Sequence, residues 1–161
     1  MAEETKEKVR RLLKPTDDFG WSREVMELDR QQAVPLLITI LNDEQEKQYT
    51  RRQAALMLGM LGDERATGAL AGALQATDFA LRARAADALG QINQLNDETV
   101  QRLIQGLEDE NDVVRKCCAK TLGDLRRSEA LSALENMSTN DDVMSNRTVA
   151  QKAIDAIRKT G

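Results

Sequence analysis

Apolar residues along this chain recur at the spacing that places them on one face of a helix turning about 100° per residue. Four segments with this pattern align without gaps: Thr50–Gly62, Leu81–Asn93, Val114–Arg126 and Asn146–Arg158. Counted from the start of each segment, the ninth position is Leu58, Leu89, Leu122 and Ile154, and the twelfth is Leu61, Ile92, Leu125 and Ile157. The fifth is small throughout (Ala54, Ala85, Cys118, Ala150), and the tenth is glycine in the first three (Gly59, Gly90, Gly123). Positions 1, 5, 8, 9 and 12 share one face, so each segment predicts an amphipathic helix, and its small residues admit a close neighbour. Glycine at position 10 costs about 1 kcal/mol of helix propensity relative to alanine. It is expected near a helix end or where another backbone comes close.

Each segment follows a second amphipathic stretch: Ala33–Asn42, Arg65–Gln75, Thr99–Glu108 and Glu129–Ser138, with Leu37, Leu70, Leu103 and Leu134 in equivalent places. The unit is therefore helix A, a short turn and helix B. One such hairpin cannot bury its own apolar face, so stacking is required. The A-to-B turns from Leu41 to Arg51 and from Met137 to Arg147 read two residues longer than the others. Residues 1–31 read as a divergent N-terminal hairpin. Its first helix is expected over Lys6–Lys14, with Val9, Leu12 and Leu13 on one face, and Pro15 to Asp18 break it. A second helix, capped by Ser22, is expected to run through Leu28 with Val25, Met26 and Leu28 pointing inward.

The pattern Val-Arg-x-x-Ala-Ala-x-x-Leu-Gly-x-Leu/Ile, following an Ala-x-Pro-x-Leu helix, is best matched by Leu81–Gly90 and Ala33–Leu37. It resembles HEAT repeats, and among them the short-repeat group first noted in phycobilin lyase subunits. The resemblance covers residues 32–159. It implies an all-α fold, a right-handed α–α superhelix of about five helical hairpins with the B helices lining the concave surface. A single domain is expected over residues 1–161, with repeats at approximately 32–63, 64–95, 96–127 and 128–161. Position 2 is always arginine (Arg51, Arg82, Arg115, Arg147), at spacings of 31, 33 and 32 residues. The resemblance implies that these arginines form a structural ladder with turn carboxylates between stacked repeats. Asp78, Asp109, Asp112, Asp141 and Asp142 are the candidates; the rival reading is an anion-binding groove. Repeat four departs from the pattern, with Asp155 for the glycine and Gln151 for the second alanine, as suits a capping repeat whose outer face meets water.

Composition narrows the function more than the fold. Apolar residues make up 41% of the chain and aromatics only 2%, so aliphatic side chains must fill the core. The formal charge of −4 argues against nucleic acid or an anionic membrane as partner. No apolar run approaches the roughly 18 residues of a membrane span. The charged N-terminus lacks a signal-peptide stretch, and a cytoplasmic location is expected. The adjacent Cys117 and Cys118 are not expected to form a disulfide. Packing is the expected role for both, against a redox or metal pair as the alternative.

No histidine occurs, which removes the commonest general base and metal ligand together. Walker, GxGxxG, GxSxG and paired CxxC motifs are also missing. Asp109–Asp112 and Asn140–Asp142 are acidic turns without calcium-loop spacing, expected to satisfy helix amides. No enzyme activity, cofactor or metal is expected. The expected function is a non-catalytic scaffold or adaptor that binds another protein or peptide along its B helices. An auxiliary subunit of a phycobilin lyase-like or other assembly factor is the alternative, suggested by the resemblance. A nucleic-acid-binding HEAT protein is a disfavoured third reading.

The surface of that scaffold is read from positions 3, 7, 10 and 11. Repeat two offers Asp87 and Gln91 there, and repeat three Lys116 and Lys120. Repeat one offers Arg52, Leu56 and Met60, an apolar pair expected to be exposed and to mark a recognition spot. Trp21 is an expected neighbour; with Phe19 it either plugs the first repeat or anchors a partner.

Overall fold

The computed structural model describes residues 2–14 and 21–159, and these contain helices and no strands. In chain order the helices are α1 (Ala2–Leu12), α2 (Trp21–Met26), α3 (Arg30–Asn42), α4 (Gln48–Leu61), α5 (Thr67–Ala73), α6 (Phe79–Leu89), α7 (Asp97–Gln105), α8 (Asp112–Asp124), α9 (Leu131–Asn140) and α10 (Met144–Arg158). Short 3-10 turns precede α5 and α9 and follow α7. The A helices are α3, α5, α7 and α9; the B helices are α4, α6, α8 and α10.

Side-chain oxygens start several of these helices: Asp29, Asp78, Asn96 and Asn111 each accept a backbone N–H of the first turn. At the other end of α4, Gly62 takes φ 62°, and its N–H bonds the carbonyls of Leu58 and Gly59. Arg126 takes the same left-handed conformation after α8 (φ 53°) without glycine's freedom.

Every residue at repeat positions 5 and 9 is buried, so the register of the four B helices is that read from the sequence. Successive B helices pack directly on one another, whereas successive A helices touch far less. The reason lies at position 10. A Cβ on Gly59 would meet the Cα of Ala88 at 2.7 Å, and one on Gly123 would meet the Cα of Ala153 at 2.7 Å. Gly90 faces Thr121, which buries its hydroxyl by donating it to the carbonyl of Ala86 at 2.8 Å. Position 10 of each B helix thus receives position 8 of the next. The layer with the shorter spacing lies on the inside of the curve, which places the B helices there.

The N-terminal hairpin is present as α1 and α2, joined by an ion pair between Arg11 and Glu24, with Val9, Leu12, Leu13, Val25 and Leu28 buried. Met26 is a correction. It closes the short α2 facing solvent, 50% exposed, because Val25 and Leu28 occupy the inward side. The helix also begins at Trp21, so Ser22 lies inside it and does not precede it. Phe19, Gly20 and the side chain of Trp21 lie outside the described residues. The turn in repeat four is a second correction: only residues 141–143 separate α9 from α10, because the two extra residues extend the helices. Gln151 and Asp155, the polar substitutions of that repeat, are exposed and hydrogen-bonded to each other.

Candidate functional site

The arginine ladder fixes how one repeat sits on the next. Arg82 donates from Nε and Nη2 to Asp109 at 2.8 Å each, and from Nη1 to the carbonyls of Ala76 and Thr77. Arg115 donates to Asp141 at 2.7 and 3.1 Å, to Asp142, and to the carbonyls of Asp109 and Glu110. Each guanidinium therefore closes its own A-to-B turn and reaches into that of the next repeat. Hydrogen bonding to Arg115 holds the Asp141 carboxyl below the usual carboxylate range. For Asp109 burial is the largest influence and acts upward, but Arg82 and the Asn111 N–H outweigh it and the net direction is down.

The other two rungs differ from the expected ladder. Arg51 donates to the carbonyl of Leu41 in its own hairpin and meets no carboxylate among the described residues. Repeats three and four carry an aspartate five residues before position 1 (Asp109, Asp141), but repeat two has Ala76 there and Asp78 two residues later. The carboxylate has moved along the turn, and the arginine that meets it is Arg52, at 2.5 and 2.7 Å from Asp78. This places Arg52, read from the sequence as a partner-binding residue, in the ladder, with 35% of its side chain still exposed. Arg147 has no ion pair among the described residues. Asp112 begins α8, and its carbonyl accepts a hydrogen bond from the side chain of Asn146, buried at position 1 of repeat four.

Two clefts open on the B-helix surface, both where position 10 lets adjacent helices touch. One, of about 190 Å³, lies between α4 and α6; Leu56, Met60, Asp87 and Gln91 line it above Gly59 and Ala88, with Arg84 beside them. The other, of about 290 Å³, lies between α8 and α10. Lys116, Lys120, Asp124 and Lys152 surround its floor of Gly123, Val149, Ala153 and Ala156. Of the residues assigned to the surface from sequence, Leu56, Met60, Asp87 and Gln91 share the first cleft and Lys116 and Lys120 share the second. Leu56 and Met60 are half-buried, not exposed, because positions 7 and 11 form a cleft wall and not a crest. Arg84 and Val149, both at position 4, were missed. One turn before position 8, they flank the contact between B helices; knowing that position 8 meets the next helix would have found them. Lys120 is held by Asp124 at 2.7 Å, while Lys116 and Lys152 have no ion pair among the described residues.

Cys118 is buried against Gly106, and Cys117 faces repeat two. Burial, followed by the nearby Asp87 carboxylate, pushes the Cys117 thiol up to about 12; burial pushes Cys118 up as well. Neither resembles an activated nucleophile. In the acidic turns, Asp109 and Asp141 accept N–H groups of Asn111 and Val143, besides the ladder arginines. Among the described residues no group of three or more Cys, Asp or Glu side chains is placed to hold a metal, and no helix is long and apolar enough to cross a membrane.

Comparison with known proteins agrees with this architecture. Phycocyanin operon protein Z of Pseudanabaena tenuis is 30% identical over 127 residues, 75% of this chain and 60% of that protein. The structure of human deoxyhypusine hydroxylase in complex with glycerol matches at 30% identity with a TM-score of 0.67, over 78% of this chain and 43% of that one. The CpcE–CpcF complex of phycocyanin lyase from Nostoc sp. PCC7120 matches at 20% identity with a TM-score of 0.72, over 96% of this chain and 65% of that one. The chain thus spans less than two thirds of the length of each of these relatives. A family model for HEAT repeats matches residues 22–89 and 69–158. With its stacked hairpins, its glycine–alanine contacts between B helices and its arginine–aspartate rungs, the chain belongs to the HEAT-repeat family.

Proposed function

We propose that this protein is a non-catalytic scaffold that binds another protein or peptide along its B-helix surface. The observation that carries the reading is the pair of clefts between α4 and α6 and between α8 and α10. Each sets a floor built on glycine and alanine at the same place in the repeat, with Leu56 and Met60 facing Asp87 and Gln91 across the first and Lys116, Lys120, Asp124 and Lys152 around the second. A floor of this kind takes small apolar side chains, while the walls orient the polar groups of an extended segment. A stack pinned by ion-paired rungs offers such a surface at little ordering cost. The non-catalytic part of the reading rests on the sequence, which has no histidine to serve as base or metal ligand. The likeness to deoxyhypusine hydroxylase is taken as a likeness of repeats. Nucleic acid is disfavoured because Asp87, Asp124 and Asp155 interrupt the cations of the surface.

The likeness to the phycocyanin operon protein and to the CpcE–CpcF complex favours one second reading, an auxiliary subunit that assists a bilin lyase-type assembly through the same surface. Affinity capture from the native lysate, repeated with Gln91→Arg and with Lys152→Glu, tests the proposal. A stoichiometric protein is expected with the wild type and is expected to be lost from both variants while their melting curves stay unchanged. Undiminished capture by both variants would rule the surface out. Visible absorbance from a co-purified bilin would select the second reading.

A further inference from the structure

The four B helices each carry one large apolar side chain out in solvent, and always on the first turn. Tyr49 on α4 is 40% exposed, Phe79 on α6 48%, Val113 on α8 44% and Met144 on α10 73%. Each is the first or second residue of its helix. Met26 is the one other large apolar side chain exposed among the described residues. Exposed apolar residues normally scatter; here they recur once per repeat. The B helices run side by side in one direction, so the four lie along a single edge of the solenoid. None of them is a capping residue, and none serves the ladder.

The same edge is acidic. The aspartates of the ladder are neutralised by their arginines, but Asp43, Glu44, Glu46, Glu110, Asp112 and Asp142 face solvent in or beside these turns. The Glu110 and Asp142 side chains are 88% and 83% exposed although each also touches a ladder arginine. Lys47 is the one lysine of the turns, and Arg51 and Arg147 stand a turn further into their helices. Near Tyr49 a hollow of about 660 Å³ brings in Arg10 and Lys14, so the negative charge is strongest over repeats three and four.

We propose that this edge, separate from the B-helix clefts, binds a basic amphipathic helix of a partner protein. The apolar face of that helix lies on Phe79, Val113 and Met144, and its lysines or arginines face Glu110, Asp112 and Asp142. The lengths agree: two steps between neighbouring helices at 8–10 Å span about 16–20 Å, which a helix of about 18 residues, about 27 Å long, covers. Acidic surfaces of either kind, a second copy of this edge or an anionic bilayer, are repelled.

The probe is a fluorescein-labelled amphipathic peptide of about 18 residues built from leucine and lysine, followed by fluorescence anisotropy. Two control peptides carry glutamate for lysine, or the same residues scrambled to destroy amphipathicity. Only the amphipathic lysine peptide is expected to bind, more weakly as salt rises. The double substitution Phe79→Ser, Met144→Ser is expected to weaken it at least tenfold with an unchanged melting curve. Should that variant melt early, Val113→Ser, at a third exposed position, is to show the same direction. Equal binding of a control peptide, or undiminished binding by the serine variants, would overturn the proposal. So would a concentration-dependent dimer in sedimentation that the double substitution abolishes, since the stripe would then be a self-association surface.

Discussion

Replacing Gly59 with alanine and replacing Gly68 with alanine are the same chemical change on two helices, and the structure gives them opposite outcomes. Both positions are helical, so both gain about 1 kcal/mol of propensity. At Gly68 the new methyl meets nothing within 4 Å, and the gain stands. At Gly59 it meets the Cα and Cβ of Ala88 at 2.7 and 2.8 Å, where carbon atoms prefer about 3.5–4.0 Å. Relief requires moving α6 by nearly an ångström, and α6 is held on its far side by the Gly90–Thr121 contact. Overpacking of this kind costs about 1–3 kcal/mol. Because propensity cancels between the two variants, their difference isolates that steric cost. For a chain of this size it corresponds to about 2–4 °C in Tm per kcal/mol. Thermal melts followed by circular dichroism, with urea titrations as a check, measure it. If Gly59→Ala raised Tm as much as Gly68→Ala, the account of glycine at position 10 would be wrong.

Gly106→Ala is expected to destabilise the wild type by about 1–3 kcal/mol, because its Cβ would lie 2.4 Å from the Cys118 sulfur. Adding Cys118→Ala should recover most of that loss, since it recreates the Ala73 and Ala85 combination of repeat two; additive losses in a double-mutant cycle would contradict the pairing. Arg115→Ala strands the Asp141 carboxylate, 2% exposed, and should cost on the order of 3 kcal/mol in chemical denaturation. The Asp141 pKa is depressed in the fold, so its contribution is present above the unfolded value of about 3.9 and is lost as pH falls through the lower folded value. Below about pH 4 the wild type should therefore lose more stability than Arg115→Ala, and parallel pH–stability curves would refute the linkage. Arg126→Gly relieves a left-handed backbone and is expected to stabilise by about 1 kcal/mol, read as a rise in Tm.

Much of the fold was legible because one pattern is written four times. Alignment alone placed Ala54, Ala85, Cys118 and Ala150, and the buried faces followed from helical geometry. What alignment hid was the position of charges in turns, where no helical period constrains them. Asp78 sits two residues away from the site that Asp109 and Asp141 define, and that offset moves the rung from Arg51 to Arg52. The proposed binding surface was legible only as a direction. Leu56 and Met60 point toward the groove, yet their half-burial depends on the distance to α6, which is set by Gly59 and Ala88 together. The apolar edge was not read at all. Tyr49, Phe79, Val113 and Met144 precede or flank the aligned segments at unequal offsets, and they share an edge only because each helix begins where it does.

The unequal spacing of the two layers has a mechanical consequence. At Gly59 and Gly123 the contacts between B helices leave no room for a methyl group, so that layer resists compression, and parting it would give up its packing. The A helices, with few contacts between them, can part or close at little energetic cost. Bending such a stack is like flexing a strip with a stiff backing: the unstrained plane lies within the B layer. Flexing of this kind would change the spacing of the outer helices while the two clefts keep their width, so a scaffold of the proposed kind could adjust its curvature to a large partner without loosening the grip on its side chains.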